Sequence, residues 1–116
     1  MIRPIYLYGS EVLRKKALEA DLNDREALSS LVKDLWDTLE VADGCGLAAP
    51  QIGVSLRVLI VDGTAMVDDM PYLKDFKRVM INPVLLEESE KKCEYAEGCL
   101  SLPNIYYDVC RPESIK

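Results

Sequence analysis

Two short blocks hold the residues of this 116-residue chain that could do chemistry: Gly44-Cys45-Gly46-Leu47-Ala48-Ala49-Pro50-Gln51 and Glu97-Gly98-Cys99-Leu100-Ser101. In the first, Gly44 and Gly46 give permissive backbone, Ala48 and Ala49 are small, and Gln51 offers one long amide. Such a segment lets another backbone approach and pair with it as a strand. The alternative is a helix stop and tight turn that leave Gln51 exposed. The pattern G-x-G-x-x-A also fits here, but a dinucleotide loop needs a strand before the glycines and a helix after them. The order here is reversed and Pro50 follows, which argues against that reading. In the second block Cys99 has three readings: a small buried apolar group, a nucleophile activated by a neighbouring histidine, or a soft metal donor. The chain contains no histidine. A nucleophile would lack its usual activator, and a metal would find one thiolate and no imidazole.

The elements that must position these blocks are legible in outline. Ser10 to Arg14 reads as a short helical turn, with the Ser10 side chain able to accept from an orphan amide. Leu28, Leu31, Val32, Leu35, Trp36 and Leu39 recur at helical spacing, predicting an amphipathic helix from Asp24 to Asp43 that Gly44 stops. Leu56 to Val61 reads as a well-buried strand. Gly63 to Asp75, with Gly63 and Pro71, reads as an exposed loop, and Arg78 to Asn82 as a strand limited by Pro83. Val84-Leu85-Leu86 and Lys92 to Tyr95 flank the charged run Glu87 to Lys91, suggesting two antiparallel segments. Val109 to Lys116 reads as the opening of a further strand that stops before it can pair. There is no internal repeat.

With 49% hydrophobic and 29% charged residues the composition suits one folded domain over residues 1–116. Lys+Arg 14 against Asp+Glu 20 gives a net charge of -6, which disfavours the phosphate contacts of nucleic-acid binding. No apolar run reaches bilayer-spanning length and no signal-peptide core is present, so the expected setting is cytoplasmic, without membrane contact. Cys45, Cys93, Cys99 and Cys110 form no Cys-x-x-Cys pair, so neither a zinc knuckle nor a thioredoxin-like motif is indicated, and all four are expected as thiols.

Taken together, the two blocks resemble the Gly-x-Gly-Leu-Ala-Ala-x-Gln and Glu-Gly-Cys-Leu-Ser motifs of peptide deformylases, and Val12-Leu13-Arg14-Lys15 and Asn82-Pro83 are similar to that family too. The resemblance covers essentially the whole chain. It implies an α+β fold, antiparallel β-sheets packed around helices, and a metal-dependent hydrolase that removes the formyl group from N-formyl-methionyl peptides. It further implies Cys99 as the thiolate ligand of a divalent ion, natively Fe(II), with Zn, Ni or Co as substitutes, and Gln51 together with the Leu100 backbone amide as the oxyanion donors. Gly44, Cys45, Gly46 and Leu47 would hold the substrate, and Glu97 and Arg111 would pair beside the site. The family's third motif, His-Glu-x-x-His on a C-terminal helix, is absent from this sequence. The expectations that follow are weak metal retention, little activity of these residues alone, and apolar surface left open to self-association. Two rivals stand beside this reading: a non-catalytic deformylase-like module that binds peptides or a partner through Gly44 to Gln51, and a thiol-bearing structural domain without metal.

Overall fold

The computed structural model describes residues 1–116. The chain forms α1 (Glu11–Arg14), α2 (Arg25–Ala42), β1 (Gly46–Ala48), β2 (Val58–Asp62), β3 (Lys77–Ile81), β4 (Lys92–Cys99) and β5 (Leu102–Pro112). Short 3-10 turns occupy Ala49–Ile52, Gly63–Met66 and Pro71–Leu73. It is an α+β arrangement of antiparallel strands with few helices.

Helix α2 begins where the Asp24 carboxylate accepts the Ala27 amide at 3.1 Å, meeting one of the orphan donors of a helix start. Leu31, Leu35 and Leu39 form its buried stripe and pack on Leu47, Val58 and Ile60. Each such side chain, taken from water, contributes about 1.5–3 kcal/mol. The helix ends at Asp43, which takes the left-handed conformation (φ 57) while its N–H returns to the Leu39 carbonyl at 3.0 Å. The residue that turns the chain is therefore Asp43 rather than Gly44. Gly44 is needed for room, since a Cβ there would lie 2.9 Å from Leu100 Cδ1 and 3.2 Å from Leu39 Cδ1.

Strands β1, β2 and β3 form an antiparallel sheet in that order, with Leu47 opposite Ile60 and Ile60 opposite Val79. Central β2 buries Val58 and Ile60 against α2, and β1 is an edge. Strands β4 and β5 form a separate two-stranded ribbon. Its register runs from Lys92 opposite Pro112 to Gly98 opposite Tyr106, then jumps to Cys99 opposite Leu102. Residues 103–105 are left in a bulge in which Asn104 is left-handed (φ 61). Cys99 and Leu102 thereby close a two-residue turn, Leu100-Ser101, at the tip of the ribbon.

Four sequence expectations change. Ser10 precedes α1, but its hydroxyl caps nothing; its carbonyl accepts from Leu13 N–H instead. Residues 63–75 are two 3-10 turns joined by short links, because Asp62 accepts the Thr64 amide at 2.9 Å and Pro71 opens a further turn. Val84 to Leu86 form no strand, since Asn82 (φ 52) and Pro83 turn the chain out of the sheet and leave all three side chains exposed. The partner of Lys92–Tyr95 is Val109–Pro112, so the segment expected to stay unpaired is paired. No helix is long and apolar enough to cross a membrane.

Candidate active site

The two motif blocks lie on different sheets and meet across a cavity of about 600 Å³. The first block supplies an edge strand and a 3-10 turn. Asp62 N–H bonds the Cys45 carbonyl at 2.7 Å, so in antiparallel alternation Cys45 and Leu47 address β2 while Gly46 and Ala48 address the open edge. The Ala48 N–H is taken by the Gln51 carboxamide oxygen at 3.0 Å. The Gly46 backbone is thus free to pair with another strand, and a side chain there would be crowded, because a Cβ would sit 3.2 Å from the Ile60 carbonyl oxygen.

Gln51 is half-buried rather than free in solvent. With its oxygen fixed by Ala48, its Nε2 donates to Ser101 Oγ at 3.1 Å and lies 3.8 Å from Cys99 Sγ, a hydrogen-bond distance for sulfur. This one carboxamide joins the two blocks. Cys99 itself is an exposed free thiol, which removes the buried apolar reading. Leu100 packs its side chain beside Gly44 and against the core, while its N–H makes no hydrogen bond within the chain. The turn that Gln51 Nε2 touches therefore carries both an exposed thiol and an unpaired amide.

Gly44, Cys45 and Gly46 line the cavity with Gln51, Cys99 and Leu100, and Leu102, Ile105 and Tyr106 supply apolar wall. Leu47 does not; it is buried against the core opposite Ile60. Glu97 and Arg111 stand on the ribbon behind the turn and form a two-pronged ion pair, Nε to Oε2 at 2.5 Å and Nη2 to Oε1 at 2.8 Å. Hydrogen bonding from the guanidinium holds the Glu97 carboxyl below the usual carboxylate range, and the carboxylate in turn raises Arg111.

A catalytic metal site commonly uses three protein donors and one open position. Cys99 is the one soft donor at this cavity besides Cys45, and nowhere do three His, Cys, Asp or Glu residues gather. The residues of this chain alone do not fit a complete metal centre.

Two contributors carried no signal in the side-chain pattern. Tyr6 N–H donates to the Gln51 carbonyl at 2.7 Å, and Tyr8 N–H to the Ser101 carbonyl at 2.8 Å. They act through the backbone, which composition and periodicity do not encode. Ser101, buried at 5% exposure, was visible only as the end of the second block.

An open strand edge, the unpaired Leu100 amide, the Gln51 carboxamide and a thiol stand around one cavity, on antiparallel sheets packed against a helix in an α+β domain. The polypeptide deformylase family model matches residues 2–116, and the chain belongs to that family. It is 44% identical over 115 residues to the peptide deformylase of Pseudothermotoga lettingae, covering 99% of this chain and 60% of the relative. The peptide deformylase structure from Legionella pneumophila superposes with a TM-score of 0.85 at 38% identity, covering 99% of this chain and 63% of that one. A Met-Ala-Ser-bound class I type b peptide deformylase from Acinetobacter baumannii superposes at 0.84 with 31% identity, over 99% and 74%. The chain spans between 60% and 65% of the length of the curated relatives it matches.

Proposed function

We propose that this chain carries the substrate-binding and oxyanion-binding part of a peptide deformylase, which hydrolyses the N-formyl group of formyl-methionyl peptides to formate and a free amine. The observation that carries this reading is the Gln51 carboxamide, held by Ala48 within reach of Cys99 Sγ and Ser101 Oγ, the two residues that flank Leu100 in its turn. The peptide lies against the Gly46 edge as an added strand, which aligns its N-terminal formyl group with the Leu100 turn. Gln51 Nε2 and Leu100 N–H then donate to the formyl oxygen as it gains negative charge, a role in which one donor contributes about two to three orders of magnitude in rate. Glu97 and Arg111 stiffen the strand that carries Cys99. Leu102, Ile105 and Tyr106 offer the apolar wall that a methionine side chain would use.

The family is metal-dependent, and Cys99 is the residue here suited to be a ligand, Fe(II) in preference to Zn, Ni or Co. The residues of this chain offer no group of donors that would complete the site. The setting we assign is the cytoplasm, where formylated nascent peptides occur. The test is titration of the labelled chain with formyl-Met-Ala-Ser while amide resonances are followed. Shifts centred on Gly46, Leu100 and the Gln51 carboxamide are expected. Shifts confined to other surfaces, or none at millimolar peptide, would reject the reading.

A further inference from the structure

The N-terminal segment belongs to neither motif, yet it is bonded to both. Tyr6 N–H holds the carbonyl of Gln51 and Tyr8 N–H the carbonyl of Ser101, at 2.7 and 2.8 Å. The Gln51 side chain closes the circuit by donating to Ser101 Oγ at 3.1 Å. Upstream the segment is fastened to α2: Arg3 N–H donates to Thr38 Oγ1 at 2.9 Å and Arg3 Nε to Asp34 Oδ2 at 3.0 Å, with both acceptors on buried residues. The Tyr6 ring lies against Gly53, where a Cβ would fall 2.9 Å from its Cε1.

We propose that residues 3–8 are a positioning strap that sets the separation between the Gln51 carboxamide and the Cys99-Leu100-Ser101 turn. The proposal rests on the reading of Gln51 and Leu100 as oxyanion donors given above. Gln51 follows the three-stranded sheet, whereas Leu100 sits at the tip of a two-stranded ribbon exposed along most of its length. A lone ribbon is marginally stable in water, so its tip needs ties to the body of the fold. The Leu100 side chain beside Gly44 is one such tie, and Tyr8 is the one that fixes backbone. Distance matters here because a misplacement of about 1 Å can cost about a hundredfold in rate.

The Ala48 amide reports the strap without any ligand, because it bonds the Gln51 side chain. Tyr8→Pro deletes the donor to Ser101, and Tyr8→Phe keeps it. We expect Ala48 hydrogen exchange to quicken about fivefold in Tyr8→Pro, the scale of one net hydrogen bond. The β2 amides of residues 58–61 should stay as in the native chain, as should every amide in Tyr8→Phe. An unchanged Ala48 rate, or a rise shared equally by β2, would overturn the proposal, the second because it marks general destabilisation. Should Tyr8→Pro fail to fold, the native protein decides: Tyr6 and Tyr8 amides exchanging as slowly as those of β2 support the strap, and exchange at open-loop rates overturns it. These readouts need no formyl peptide, so failure of the strap and failure of the functional reading give different results.

Discussion

Gln51 spends both ends of one carboxamide on structure, its oxygen on Ala48 and its nitrogen on Ser101 beside Cys99, which is how a long flexible side chain becomes a fixed donor. In a metal-loaded, turning-over form of the protein, Gln51→Ala should keep the metal content and lower kcat by about two to three orders of magnitude, the usual cost of one oxyanion donor. A change of less than severalfold would remove Gln51 from the chemistry. Cys99→Ala should abolish metal retention, measured by elemental analysis after desalting, whereas Cys45, Cys93 and Cys110 should accept Ser. The chain by itself should retain metal weakly, because one thiolate is a poor substitute for a three-donor site; stoichiometric metal at neutral pH would contradict this. Glu97 adds a pH dependence. Its folded-state pKa lies below its ordinary 4.5, so the stabilisation from the Arg111 pair is complete above that value and is lost as pH falls through the depressed one. Asp34 behaves in the same sense, its carboxyl held down first by the Met1 ammonium and then by Arg3. The melting midpoint followed from pH 7 to pH 3 should fall in the acid range, and the fall should be shallower in Glu97→Gln; identical profiles would show that the pair adds nothing.

At the scale of elements, Asn82 joins the first sheet to the segment before α2. Its side chain accepts from Ala20 N–H at 2.8 Å and donates to Ala20 O at 3.1 Å, while its own backbone is left-handed. Asn82→Ala strands two polar groups of a buried residue and should cost about 1–3 kcal/mol, read from urea unfolding with an unchanged m-value. Local pattern places α2 and β2, because one face of each is decided by burial of its own side chains, whereas β3 is exposed from Lys77 to Met80 and is marked only by its apolar run before Pro83. The partner of β4 is not readable in that way: Val84 to Leu86 look like strand residues, but Asn82 and Pro83 send them out of the sheet. The end of α2 illustrates a finer limit. Glycine after a helix suggests a left-handed stop, yet Asp43 takes that role and Gly44 makes way for Leu100, a residue far along the chain. The contact of Gln51 with Cys99 likewise spans 48 positions, so the motifs name its members while only the fold brings them together.

Across the whole molecule, apolar side chains remain on the surface in number: Val84, Leu85, Leu86, Tyr106, Tyr107 and Ile115 are each at least 60% exposed. Contiguous patches of such residues usually find a partner, and we expect the chain to bind a hydrophobic dye and to self-associate as its concentration rises in sedimentation velocity. A compact monomer at all concentrations, with no dye bound, would contradict that. The net charge of -6 opposes such association at low salt, so it should strengthen as salt screens the repulsion. The central claim is that this cavity recognises the formyl group through Gln51. Its most direct test is calorimetric titration of the native chain and of Gln51→Ala with formyl-Met-Ala-Ser and with Met-Ala-Ser. The account predicts that the native chain binds the formylated peptide more tightly by about fivefold, the scale of one net hydrogen bond, and that Gln51→Ala binds both alike. Equal affinity of the native chain for the two peptides, or a formyl preference that survives in Gln51→Ala, would contradict it.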